Sequence, residues 1–317
     1  MARIRATRVL AFAATASAIL ALTGCTANPT PTFTPHAGPI NIVTSVGVWA
    51  NIAKQVGGSQ VRVSSVIHSS MQDPHSYTAS ARDQLLVNQA DVTLANGLGY
   101  DDFFVTLTKA APKLDPKLRL RAWCVGECAR EGNAGSADEL TGNPHLWYHL
   151  ASVQASVKKL QQGLQRALYT ETESQKLSVS AGKFAQALAV LANLEHAVSP
   201  KVAGRGALLT EGFAQYLLAD LGMKNLTPVE YRNAVENEQD VSPGAMNQMR
   251  QLLKNHKVSV VITNLQTQTA QTLQLEAWAK QSGVPVLRLT ESLPAGKNYQ
   301  IWMRSNILNI RNAVTGK

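Results

Sequence analysis

The sequence predicts an α/β protein of two lobes, each built on a parallel sheet, joined by one long backbone helix. Three observations lead there. From residue 40 onward, short β-branched runs alternate with amphipathic stretches, and such alternation pairs strands in parallel with helices as crossovers. Residues 171–198 break the pattern with a proline-free segment that has apolar residues at helical spacing. The strand–helix alternation then resumes at residue 207.

In order, residues 40–44 read as a buried strand and 48–56 as a helix stopped by Gly57 and Gly58. Residues 61–67 form a second strand, 81–89 a helix, 91–95 a strand, 101–111 a helix halted by Pro112, and 118–122 a strand. Residues 153–168 are helical. In 171–198, Leu177, Phe184, Leu188, Leu191 and Leu194 share one face, with Lys176, Lys183 and Glu195 elsewhere; Ser199 and Pro200 close that helix. The second half gives a strand at 207–210, a helix at 213–221 capped by Gly222, a helix at 243–255 and a strand at 258–263. A helix at 267–281, a strand at 284–289 and a closing helix at 298–314 follow.

The first residues stand apart from this fold. Arg3, Arg5 and Arg8 precede an apolar run from Val9 to Leu22, ~14 residues where a membrane helix needs roughly 20. It reads as an export signal ending in Leu22-Thr23-Gly24-Cys25, the form of a bacterial lipobox. Cys25 is then the acylated first residue of the mature chain. Residues 25–39, with Pro29, Pro31, Pro35 and Pro39 and almost no large apolar side chain, cannot bury a core and read as a flexible tether. The expected organisation is a signal at 1–24, a tether at 25–39, a first lobe at 40–170, a linking helix at 171–199 and a second lobe at 200–317.

The formal charge is +9, with the three signal arginines included. Lys and Arg are scattered, without basic runs or interleaved aromatics, which gives no support to a nucleic-acid partner. Apart from Cys25 the cysteines are Cys124 and Cys128. Outside the cytoplasm the pair reads first as a small loop-closing disulfide, with free thiols and a metal role as the alternatives.

Two of the seven histidines sit in matching turns, Asp73-Pro74-His75-Ser76-Tyr77 and Asn143-Pro144-His145-Leu146-Trp147. Proline fixes the approach to each imidazole, and an aromatic two residues later can pack beside it. Asx-Pro is also a common turn starter, so two plain surface turns remain the bland alternative. His145 and His149 form an H-x-x-x-H pair, but Leu146 stands where a metallohydrolase would place its glutamate. His149 therefore reads mainly as a solvated helix start. His36, His68, His196 and His256 lack a partner pattern.

The two Pro-His turns, Ala90-Asp91-Val92, the run Asn96-Gly97-Leu98-Gly99-Tyr100 and the segment Thr210-Glu211-Gly212-Phe213 occur in an order that resembles the metal-receptor lipoproteins of zinc and manganese ABC importers. The resemblance continues through Val260-Val261-Ile262 and Leu289-Thr290-Glu291-Ser292 to Tyr299, Met303 and Asn306. It implies a monomeric, extracytoplasmic, lipid-anchored binding protein without a catalytic step. Such a protein passes its cargo to a membrane permease and its ATPase. It further implies a metal between the lobes, held by His75, His145, Glu211 and Glu291, with histidine often at the third position and aspartate more usual at the fourth. Asn143, where aspartate is usual, and His149-Leu150, where Asp-Pro is frequent, depart from the pattern, and the His-rich loop of many zinc receptors is missing.

Two imidazoles and two carboxylates suit Mn2+ or Zn2+, with Fe2+ as a third candidate. Bidentate carboxylates would favour manganese. The alternatives are a secreted metal-dependent hydrolase using His75, His145 and Glu211 with Glu291 as base, a metal-binding adhesin, and a haem or siderophore receptor.

Overall fold

The computed structural model describes residues 38–69, 72, 76–122, 142–168, 170–236 and 239–316. The first lobe runs β1 (Ile40–Val46), α1 (Gly47–Gly57), β2 (Val61–Ile67), α2 (Ala81–Asn88), β3 (Val92–Ala95), α3 (Asp102–Ala110), β4 (Arg119–Arg121) and α4 (Leu150–Ala167). Its strands pair in parallel in the order β2-β1-β3-β4. Local chemistry sets the boundaries. Gly58 at φ +57 lets the chain leave α1. Ser80 and Asp83 close a reciprocal capping box at the start of α2.

The linking helix, α5 (Glu171–Val202), starts on a second capping box, Thr170 with Glu173. It runs past the expected stop, because Pro200 lies inside its last turn. There the missing N–H removes one late hydrogen bond, and the Ala203 N–H still reaches the Ser199 carbonyl at 2.8 Å. By length and composition alone α5 could cross a membrane. Instead Leu177, Phe184, Leu188 and Leu191 are buried in the core, and the helix packs against α1, α4 and the final helix. Leu194 is only half-buried, whereas Glu195, expected off the apolar face, is 8% exposed.

The second lobe repeats the first in outline: β5 (Gly206–Leu209), α6 (Gln215–Asp220), β6 (Lys224–Asn225), α7 (Val229–Glu236), α8 (Pro243–Lys254), β7 (Val260–Asn264), α9 (Ala270–Gln281), β8 (Val286–Leu289) and α10 (Tyr299–Thr315). The order β6-β5-β7-β8, again all parallel, is the same permutation as in the first sheet. The two-residue β6 and the polar α7 gave no sequence signal. Residues 212–214 form a 3-10 turn before α6 rather than its first turn. Helix α9 starts at Ala270 because Thr269 caps it.

The largest apolar cluster joins β1, β3, α1, α4, α5, α10 and the inner faces of β5 and β7. Helices α2 and α3 cover the outside of the first sheet, and α8 and α9 that of the second. In each sheet the strand order reverses beside the first strand. The carboxyl ends of the strands at that point are where open α/β sheets bind ligands.

Candidate metal centre

Three loops from strand ends and one turn build the site. After β3 the chain makes a tight bend with positive φ at Gly97, Leu98 and Gly99. The Asp101 carboxylate fastens it, accepting the Asn96 and Gly97 N–H groups at 2.5 and 2.8 Å. Burial, only partly offset by these bonds, pushes the Asp101 carboxyl upward. The bend projects Tyr100, whose hydroxyl donates to Glu291 Oε1 at 2.6 Å.

In the turn carrying His145, the Asn143 Oδ1 accepts the His145 backbone N–H at 3.0 Å and faces its Nδ1 at 2.8 Å. The same amide donates from Nδ2 to the Gly212 carbonyl at 2.8 Å. This orientation assigns the proton to Nδ1 and leaves the Nε2 lone pair for a ligand. Asparagine thus does here what an orienting carboxylate would do. His145 Nε2 meets Glu291 Oε1 at 3.2 Å, an approach of two electron-rich atoms that a proton or a cation between them makes favourable. Trp147 stands edge-on to both His145 and Tyr100, with ring centroids 5.5 and 4.9 Å away.

Glu211 follows β5 and Glu291 follows β8. The last residue of β7, Asn264, donates from Nδ2 to Glu211 Oε2 at 2.7 Å and to Glu291 Oε2 at 3.3 Å. The Thr267 hydroxyl donates to Glu211 Oε1. Burial raises the Glu211 carboxyl, Thr267 and Asn264 pull it down, Glu291 raises it and His145 lowers it, and the net shift is upward. The Glu291 backbone is held from the first half of the chain, by Trp147 Nε1 on its carbonyl at 2.9 Å. Tyr148 OH on the Thr290 carbonyl at 2.6 Å adds to this. Beside this cluster Gly47, His68, Tyr100, Trp147, Ser292 and Leu293 line a small cleft.

Of the four expected ligands, the structure brings together His145, Glu211 and Glu291, with Asn264 between the carboxylates. Among the described residues no three His, Cys, Asp or Glu side chains converge closely enough to hold an ion by themselves. His75 lies outside the described residues, as do Cys25, Cys124 and Cys128. Just after His75, Tyr77 packs on Phe103 at 4.8 Å and donates to Asp83 at 2.7 Å. His149 is half-buried rather than fully solvated: it stands at the N-cap position of α4 without a side-chain capping bond and stacks on Tyr216 with centroids 5.1 Å apart. It lies 3.9 Å from Asp220, and burial lowers its pKa. Asn264 and Thr267 escaped the sequence reading, since uncharged residues at a strand end leave no periodic signal.

Residues 42–313 match the family described as zinc-uptake complex component A, periplasmic. The chain is 23% identical over 292 residues to the metal ABC transporter substrate-binding lipoprotein SloC of Streptococcus mutans, covering 87% of this chain and 90% of that one. It is 29% identical over 118 residues to the manganese ABC transporter substrate-binding lipoprotein PsaA of Streptococcus pneumoniae, 35% of this chain and 36% of that one. Among solved structures, one of ZnuA superposes with a TM-score of 0.68 at 17% identity, covering 87% of this chain and 99% of that one.

Proposed function

Because the chain belongs to the family of periplasmic zinc-uptake component A proteins, we propose that it is the extracytoplasmic receptor of an ABC importer. It captures a divalent transition metal between its lobes and delivers it to a membrane permease driven by an ATPase. The metal is cargo, and no catalytic step is involved. We assign the ligands as His75, His145, Glu211 and Glu291. The observation that carries this reading is the approach of His145 to Glu291, with Glu291 joined to Glu211 through Asn264. In the same turn Asn143 directs the Nε2 of His145 toward Glu291. Two imidazoles and two carboxylates accept Mn2+ or Zn2+, with Fe2+ as a third candidate.

The accompanying proposals are that residues 1–24 are a lipoprotein signal, that Cys25 carries the anchor through the tether at 25–39, and that the receptor works as a monomer. Residues 40–170 and 200–317 are the two lobes.

Calorimetry on metal-free protein tests the site. One ion should bind per chain, and alanine at His145, Glu211 or His75 should each weaken binding by at least ~100-fold, with a smaller loss at Glu291. Undiminished affinity in the His75→Ala, His145→Ala double variant would overturn the assignment.

A further inference from the structure

Oε1 of Glu291 meets the Tyr100 hydroxyl at 2.6 Å and His145 Nε2 at 3.2 Å, both from the first lobe. A nitrogen and an oxygen each about 2.0–2.1 Å from one tetrahedral zinc ion stand about 3.3 Å apart. Nε2 and Oε1 are therefore already spaced like two groups that share an ion. A carboxylate oxygen can accept a hydrogen bond on one lone pair and offer the other to a cation, so the phenol need not leave when the ion arrives.

Tyr100 is itself firmly placed. It is 2% exposed, and its ring meets those of Trp147 and His145 edge-on, with centroids 4.9 and 5.7 Å away. Its backbone N–H donates to the Gly97 carbonyl at 3.2 Å. The bend that delivers it holds Leu98 at φ +56, a conformation uncommon outside glycine, and the Asp101 carboxylate fastens that bend. Trp147 in turn bonds the Glu291 carbonyl. Two packed aromatic residues thus grip Glu291 at both ends, Trp147 at the backbone and Tyr100 at the carboxylate. Glu211, by contrast, is bonded from within the second lobe, by Asn264 and Thr267.

We propose that Tyr100 is a positioning residue for metal capture: its hydroxyl holds Oε1 of Glu291 at an ion-sharing distance from His145 Nε2 and keeps its hold once the ion is bound. A free glutamate side chain would have to be ordered as the ion binds, and that ordering opposes affinity. A phenol that merely blocked Oε1 and had to be displaced would have the opposite effect. The inference rests on the assignment of His145 and Glu291 as ligands, concerns how one of them is aimed, and does not depend on how many further ligands complete the site.

A double-mutant cycle on the whole chain tests it. Metal-free wild type, Tyr100→Phe, Glu291→Ala and the double variant are titrated with Zn2+ in competition with a chelator, with His145→Ala as a control. Phenylalanine keeps the ring and its edge contacts and removes only the hydroxyl. Tyr100→Phe should weaken binding by about tenfold, and no more than Glu291→Ala does. Once Glu291 is alanine, the same change should alter affinity by less than about twofold. An equal loss in both backgrounds would mean that Tyr100 acts through packing, and would overturn the proposal. So would unchanged or tighter binding in Tyr100→Phe, the tighter case marking the phenol as a competitor of the ion. Wild-type affinity in both Glu291→Ala and His145→Ala would remove the site assignment and this proposal with it. Losses in those two variants beside an unaffected Tyr100→Phe would confine the failure to Tyr100.

Discussion

Glu195→Gln should stabilise the metal-free protein at alkaline pH. Glu195 lies on the buried face of α5, and its Oε1 has no hydrogen-bond partner among the described residues. Burial, and then the neighbouring Asp220, push its carboxyl from 4.5 up to about 8. In the unfolded chain the group ionises near its ordinary value, so between those two pH values the folded state holds a proton that the unfolded state has released. Stability is then lost as pH rises through this window, and the loss is complete above the folded pKa. At ~1.4 kcal/mol per unit, the penalty is at most about 5 kcal/mol. Asp220, itself raised to about 6 by burial, shares part of it, so about 2–4 kcal/mol is expected for Glu195 alone. A glutamine fills the same space and never ionises. Urea unfolding in the presence of chelator at pH 5, 7 and 9 measures the difference. The variant should match wild type near pH 5 and exceed it by about 2–4 kcal/mol at pH 9. Parallel pH profiles, or a variant less stable than wild type at pH 9, would refute the reasoning.

Gly206→Ala should cost about 1–3 kcal/mol by overpacking, because a Cβ there would lie 2.4 Å from the Lys257 carbonyl oxygen; an unchanged urea midpoint would contradict that contact. Metal binding should release protons, since burial raises the Glu211 carboxyl and the imidazoles must be neutral to ligate. Affinity should therefore drop as pH falls, by about tenfold per unit for each proton displaced, and calorimetry in buffers of different ionisation enthalpy should detect the release. Cys25→Ala should move the protein from membranes to the soluble fraction, and continued membrane retention would count against the lipobox. A bond between Cys124 and Cys128 would contribute about 2 kcal/mol before strain and lower the native mass by two hydrogens; rapid alkylation of both thiols without reductant would exclude it.

Much of the architecture was legible because period and punctuation agree in this chain. β2 falls on the expected residues, and α1 ends at the paired glycines. What escaped was short or polar: β6 has only two residues, and α7 buries only Tyr231. Glu195 was misplaced because charge suggested a solvated face, yet position 195 continues the stripe of Leu188 and Leu191. At the site, the titratable residues could be picked out from their turns. The groups that orient them could not, because Asn143, Asn264 and Thr267 act through uncharged hydrogen bonds whose partners are far apart in sequence.

The turn that carries His145 is coded within the first lobe but is also fastened to the second. Toward the second lobe, Asn143 donates to the Gly212 carbonyl, Tyr216 OH donates to the Asn143 carbonyl, and Trp147 and Tyr148 bond the carbonyls of Glu291 and Thr290. Tyr299 OH adds a bond to the Trp147 carbonyl. Toward the first lobe, the corresponding bond among the described residues is Asn96 Nδ2 to the Pro144 carbonyl, beside the ring contact of Tyr100 with Trp147. At about 1 kcal/mol net per bond, the bonds named toward the second lobe together hold the turn there by several kcal/mol. Those bonds tie the turn of His145 to the loops that carry Glu211 and Glu291. The bond from Tyr100 to Glu291 spans from the bend at Gly97–Asp101 to the loop after β8, so any parting of those two loops must break it.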